Sequence, residues 1–177
     1  FLAAEFESGF SKNVFTVQPN RLAFLATRTV EVVVLAAAFV VVTVAATLAT
    51  AFAAGFELAP IQLWDLALWG ALVTLALAGF GMLTALVTWL TRKMAPSLVV
   101  GILLGAGIAT LLVQGLVLLV PSASFVADCT LSACMASLAL GVDQAGGLSS
   151  LHIALTALAF IAASVALGGV ALQKKDV

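Results

Sequence analysis

Residues 32–56 pass without a single charged side chain, and three later stretches are nearly as apolar. They fall at about 63–90, 98–120 and 150–172. A helix that crosses the hydrocarbon of a bilayer needs roughly 20 mostly apolar residues to cover about 30 Å. Each stretch meets that length. The alternative, a soluble domain that hides all four runs, fails on surface chemistry. The chain has 177 residues, of which 64% are hydrophobic and 8% charged. Soluble domains carry about a quarter charged residues, and seven basic plus eight acidic side chains cannot cover a surface of this size. A signal peptide has one short apolar core, so the number of runs excludes that origin as well. The chain therefore reads as an all-α, polytopic membrane helix bundle with four spans, the first covering about 22–55.

The connections fix a direction. Lys12, Arg21 and Arg28 precede or open the first span, Arg92 and Lys93 lie between the second and third, and Lys174 and Lys175 follow the fourth. The other two connections hold Glu57, Asp65, Asp128 and Asp143 but no lysine or arginine. Four crossings place all seven basic residues on one side, a split that chance produces about once in 64 assignments. The positive-inside rule makes that side cytoplasmic, with the C-terminus there too, and the membrane is expected to be a plasma (inner) membrane. Trp64 and Trp69 near one end of the second span and Trp89 near the other fit interfacial aromatic belts. Phe1-Leu2-Ala3-Ala4 reads as the tail of something apolar, so the reading expects a part of the protein before Phe1.

Few residues offer chemistry. The single histidine, His152, excludes a two-histidine metal motif, and no lysine follows a glycine as a P-loop requires. No catalytic residue, metal site or cofactor is expected on this chain. A net charge of −1 gives no basic surface for nucleic acid. Cys129 and Cys134 lie five apart in the outer loop 121–149; they read as a disulfide pinning a short turn or as two free thiols. Residues 131–140 are apolar but too short to cross, which suits a re-entrant or interfacial helix. Arg28 and Glu31 have the spacing of an ion pair on one helical face, or of a polar contact to a partner. Gly101 and Gly105 form a G-x-x-x-G pair, the spacing of a close helix contact.

The opening segment carries most information. Phe6, Phe10, Val14 and Phe15 recur at helical spacing among Glu5, Glu7, Ser8, Gly9, Lys12 and Asn13. One face is apolar and the other polar, as in a short amphipathic helix on the membrane surface or docked to a soluble partner. Gln18-Pro19-Asn20-Arg21 then interrupts the helix before the first span.

The run from Glu5 to Asn13, followed by Pro19-Asn20-Arg21, resembles the first cytoplasmic loop of type-2 ABC exporter permeases. The ending Gln173-Lys174-Lys175-Asp176-Val177 resembles the basic-then-acidic tail of the same family. Phe10 stands where that family often has threonine. The resemblance implies a C-terminal four-helix part of a six-helix permease, with 1–21 holding the end of a preceding helix and a cytoplasmic coupling helix, and 22–177 the transmembrane domain. It implies that Glu5, Glu7, Ser8, Gly9, Phe10, Lys12 and Asn13 contact a separate ATP-binding cassette ATPase, which would hold ATP and magnesium. It implies a second permease copy or homologue, with Gly101 and Gly105 near the contact, and an exported amphipathic or lipid-like substrate such as a peptide antibiotic, drug or lipid. The rival expectation is a non-transporting scaffold or assembly subunit of a larger membrane complex.

Overall fold

The computed structural model describes residues 21–56, 62–120 and 124–174. The expectations placed on residues 1–20, the amphipathic opening segment among them, lie outside the described residues, as does the end of the basic tail. Every element within them is helical: α1 (Arg21–Ala53), α2 (Leu63–Thr91), α3 (Met94–Gly105), α4 (Ile108–Leu119), α5 (Ser124–Asp128), α6 (Leu131–Leu140) and α7 (Ser150–Lys174).

Three helices, Ala23–Ala53 within α1, α2, and Ser150–Leu172 within α7, are each long and apolar enough to cross a membrane. With 33 residues, α1 is about 50 Å long at 1.5 Å per residue. Val34, Phe39, Val41 and Phe52 along it are all exposed, an arrangement that suits lipid and not water.

The third expected span is not one helix. The chain enters α3 at Met94, runs 12 residues, breaks at Ala106–Gly107 and resumes as the 12 residues of α4, bent by 58°. Gly107 takes a left-handed φ of 73°, where a side chain costs about 1–2 kcal/mol. A 12-residue helix spans about 18 Å, so neither half crosses alone and the pair together counts as one span or as a re-entrant loop. The described residues thus contain three continuous candidate spans and a fourth if the bent pair is one.

At the centre lies α2, which packs against α7, α1, α3 and α6. Its buried residues Leu72, Val73, Ala76, Gly79, Met82, Ala85 and Trp89 recur every three or four positions, and many are small, so neighbours come close. Two apolar clusters result. Phe24 and Leu25 from the start of α1 meet Met82, Ala85 and Trp89 from the end of α2 and Leu172 from the end of α7. At the other end Val40, Leu72, Val73, Cys134, Leu138 and Ile153 pack together. The helix ends that carry the basic residues are therefore gathered at one end of the bundle. Trp89 departs from the belt expectation: it is fully buried in the first cluster, whereas Trp64 is 76% exposed.

The segment between α4 and α7 is a wired cap. The expected short helix is α6, and Leu131, Cys134, Ser137 and Leu138 turn one face of it inward. Thr130 caps it by accepting from the Ala133 amide at 3.2 Å. Trp69 Nε1 donates to the Leu138 carbonyl at 2.9 Å, tying the cap to α2. The Leu148 amide donates to Ser137 Oγ at 2.6 Å, and the Ser150 amide donates to Asp143 Oδ1 at 2.7 Å at the start of α7. His152 Nε2 donates to the Asp128 carbonyl at 3.0 Å, a structural role joining α7 to α5.

Candidate functional site

Three cavities follow α3 and α4 along one side of the bundle. The largest, about 610 Å³, lies between α1, α2 and α3. Leu35 and Phe39 of α1, Leu77 of α2, and Leu98 and Ile102 of α3 form its apolar walls. Glu31, Thr84, Thr88 and Ser97 supply its polar groups. A second cavity, about 450 Å³, sits at the break and is lined by Phe80, Leu104, Gly105, Gly107, Ser132 and Met135. It shares Leu77, Gly81, Thr84 and Gly101 with the first. The third, about 320 Å³, lies under the cap among Thr110, Gln114, Asp128, Thr130, Ser132 and Ser137. Ser132 borders both the second and the third. The three form a string from the basic end, past the break, to the cap.

The glycines set its shape. A Cβ on Gly81 would meet Val32 Cγ1 at 2.7 Å, so α1 and α2 approach this closely only because position 81 has no side chain. A Cβ on Gly101 would touch Thr84 Cγ2 at 3.4 Å, while one on Gly105 would meet nothing within 4 Å. Of the expected G-x-x-x-G contact, Gly101 faces α2 within this chain and Gly105 faces open space.

Polar geometry concentrates at the basic end. Arg28 Nη1 donates to Glu31 Oε2 at 2.6 Å, the i,i+3 ion pair read from the spacing, and the guanidinium stands 5.2 Å from the Phe24 ring centre. Both residues are partly buried, so the pair is screened less than one on an open surface. Thr84 donates to the Gly81 carbonyl at 2.8 Å and Thr88 Oγ1 lies 3.1 Å from the Thr84 carbonyl. Ser97 Oγ sits 3.1 Å from the Lys93 carbonyl and 2.8 Å from Thr88 Oγ1, joining α3 to α2. These hydroxyls were not singled out in the sequence. The signal was present as Thr84 and Thr88 one turn apart, but their meeting with Ser97 depends on the tight turn at Arg92–Lys93, where Arg92 takes a φ of 54°.

At the cap, Cys129 is exposed and Cys134 is buried, and both are free thiols. Burial pushes the Cys134 thiol above its usual range, while a hydrogen bond with Thr156 pulls the other way. Among the described residues no group of three His, Cys, Asp or Glu side chains is placed to hold a metal. The residues expected to contact an ATPase, Glu5 to Asn13, lie outside the described residues. Comparisons with protein-family models, with curated proteins and with solved structures gave no match.

Proposed function

We propose that this chain is a membrane-spanning permease subunit of an ATP-driven transporter of the type-2 ABC exporter kind, coupled to a separate ATPase and paired with a second permease copy or homologue. The observation that carries the reading is the placement of the opening motif. In the sequence, Glu5 to Asn13 and Pro19-Asn20 come before α1, and the start of α1 packs with the ends of α2 and α7, the helix ends next to which the basic residues fall. A coupling helix belongs on that side, within reach of a cytoplasmic ATPase. The string of cavities beside a broken helix supports the reading, because substrate sites in transporters are commonly formed by discontinuous membrane helices.

In this reading the chain's part is mechanical. Closure of the ATPase dimer would push the segment 5–13, the push would enter α1 at Arg21, and α1 would move against α2 around the Phe24–Trp89–Leu172 cluster. ATP and magnesium would be bound on the partner, and export from the inner membrane is the direction the resemblance implies. The test is affinity purification of the intact protein in mild detergent with mass spectrometry of its partners. A stoichiometric P-loop ATPase that is lost on Glu7→Lys is the expected result. Recovery of other membrane proteins alone would replace the transporter with the scaffold reading.

A further inference from the structure

The cavity between α1, α2 and α3 has a polar end whose hydrogen-bonding capacity is one-sided. Thr84 spends its proton on the Gly81 carbonyl. Thr88 and Ser97 each have a backbone carbonyl within 3.1 Å and share one further bond with each other. A hydroxyl has a single proton and two lone pairs, so what this cluster offers to a ligand is acceptors. Glu31 adds a carboxylate whose Oε2 meets Arg28, which leaves Oε1 to accept another donor. The remaining wall is apolar, and Leu35, Phe39, Leu98 and Ile102 are each more than half exposed at its rim. The opening therefore faces the bilayer through side chains that lipid tails wet.

A volume near 610 Å³ is in the range of small-molecule sites. A helix with side chains is about 10–12 Å across and rises 5.4 Å per turn, or roughly 500 Å³ per turn, so the cavity holds about one turn and does not seat a helix of a second copy. We propose that this cavity binds a single-chain amphiphile with an ammonium head, taken from the bilayer. Its head lies against Glu31, Thr88 and Ser97, and its chain lies between Phe39, Leu77 and Ile102. The ammonium supplies the donors that the acceptor-only cluster and the second Glu31 oxygen are left to satisfy. The proposal rests on the transporter reading only for the role of the occupant as cargo; binding itself needs no ATPase.

The experiment is equilibrium binding of tritiated dodecylamine, charged at pH 7, and of tritiated dodecanol to the full chain in phosphatidylcholine nanodiscs, with empty nanodiscs subtracted. Dodecylammonium is expected to saturate at one per chain and to bind at least tenfold more tightly than dodecanol, as a charge-assisted hydrogen bond requires. Glu31→Gln is expected to erase that preference while leaving dodecanol binding in place, which also reports that the variant is folded. Ser97→Ala, which keeps the Arg28–Glu31 pair, is expected to weaken the ammonium several-fold. Ala36→Phe, which fills the cavity from α1, is expected to weaken both probes. Equal affinity for the two probes, or an undiminished preference in Glu31→Gln, would overturn the site. So would an ethanolamine phospholipid held one per chain that dodecylammonium cannot displace. Failure here with an ATPase still co-purifying leaves the transporter reading standing, and the reverse outcome leaves the site standing.

Discussion

Gly168 and Trp89 show how much a single missing side chain decides in this bundle. Trp89 is fully buried, and a Cβ on Gly168 would lie 2.6 Å from its Cζ3 and closer still to Cε3. The indole fits between α2 and α7 only because α7 presents no side chain there. Gly168→Ala should therefore cost about 1–3 kcal/mol, the usual range for overpacking a core. Its neighbour is the control: a Cβ on Gly169 would make an ordinary 3.5 Å contact with Leu25 Cδ1, so Gly169→Ala should be close to neutral. Apparent Tm values in one detergent compare the two directly, and equal values would refute the account. Cys134 gives a second prediction at this scale. Its buried thiol holds its proton to higher pH than in the unfolded chain. The neutral form is thus the one the fold favours, and its contribution to stability is present below the unfolded thiol's pKa and is lost as pH rises through the folded value. In a Cys129→Ser background, maleimide should react slowly with the native protein at pH 7.5 and readily after denaturation. Rapid native labelling would mean that α6 does not pack as described.

At the scale of elements, the broken span separates what a sequence reveals from what it conceals. The lengths of α1, α2 and α7 follow from hydropathy alone, because lipid demands about 20 apolar residues and each run exceeds that. The short α6 was legible for the same reason, being apolar but brief, and Thr130 marks its start. The break at Gly107 was not. Residues 98–120 are uncharged and apolar but for Thr110 and Gln114, and an apolar run says how far a chain stays in lipid without saying whether it stays straight. Glycine is common in membrane helices, so Gly105-Ala106-Gly107 does not announce a left-handed residue. The polar cluster was hidden by a different cause, since Thr88 and Ser97 meet through a turn whose geometry no periodicity encodes. The break itself can be tested. Gly107→Ala should lower stability by about 1–2 kcal/mol, because the strain is in the backbone and nothing stands within 4 Å of the added carbon. Gly105→Ala, helical and equally open, should be neutral or slightly stabilising, since it reduces the freedom of the unfolded chain. A neutral Gly107→Ala would show that α3 and α4 can join into one straight helix at no cost.

For the whole molecule the decisive quantity is direction. Seven basic residues on alternate connections imply an orientation, and the packing of Phe24, Met82, Trp89 and Leu172 brings three of the helix ends that bear them together. These are separate arguments: one concerns charge and a membrane, the other only which apolar surfaces fit. Their agreement supports an even number of crossings between Arg21 and the Arg92–Lys93 turn, and again between that turn and the end of α7. For the second pair it requires that α3 and α4 cross as one bent span, because a re-entrant loop would return the chain to its starting side. Two single-cysteine variants in a background with Cys129 and Cys134 replaced by serine decide it. Thr91→Cys, at the exposed end of α2, and Gln144→Cys, in the exposed part of the cap, stand at opposite ends of the bundle. A membrane-impermeant maleimide added to intact spheroplasts should label position 144 at once and position 91 only after permeabilisation. Labelling of neither until permeabilisation, or of both from outside, would put the two positions on one side and mean that the bent pair dips and returns, which would remove the cavities from any path across the membrane. Labelling of position 91 alone would invert the bundle and place the acceptor cluster of Glu31, Thr88 and Ser97 on the side away from an ATPase. Under the proposed transporter reading, the predicted pattern is the one that would let cargo enter beside Glu31 from the inner leaflet and pass the break at Gly107 toward the cap.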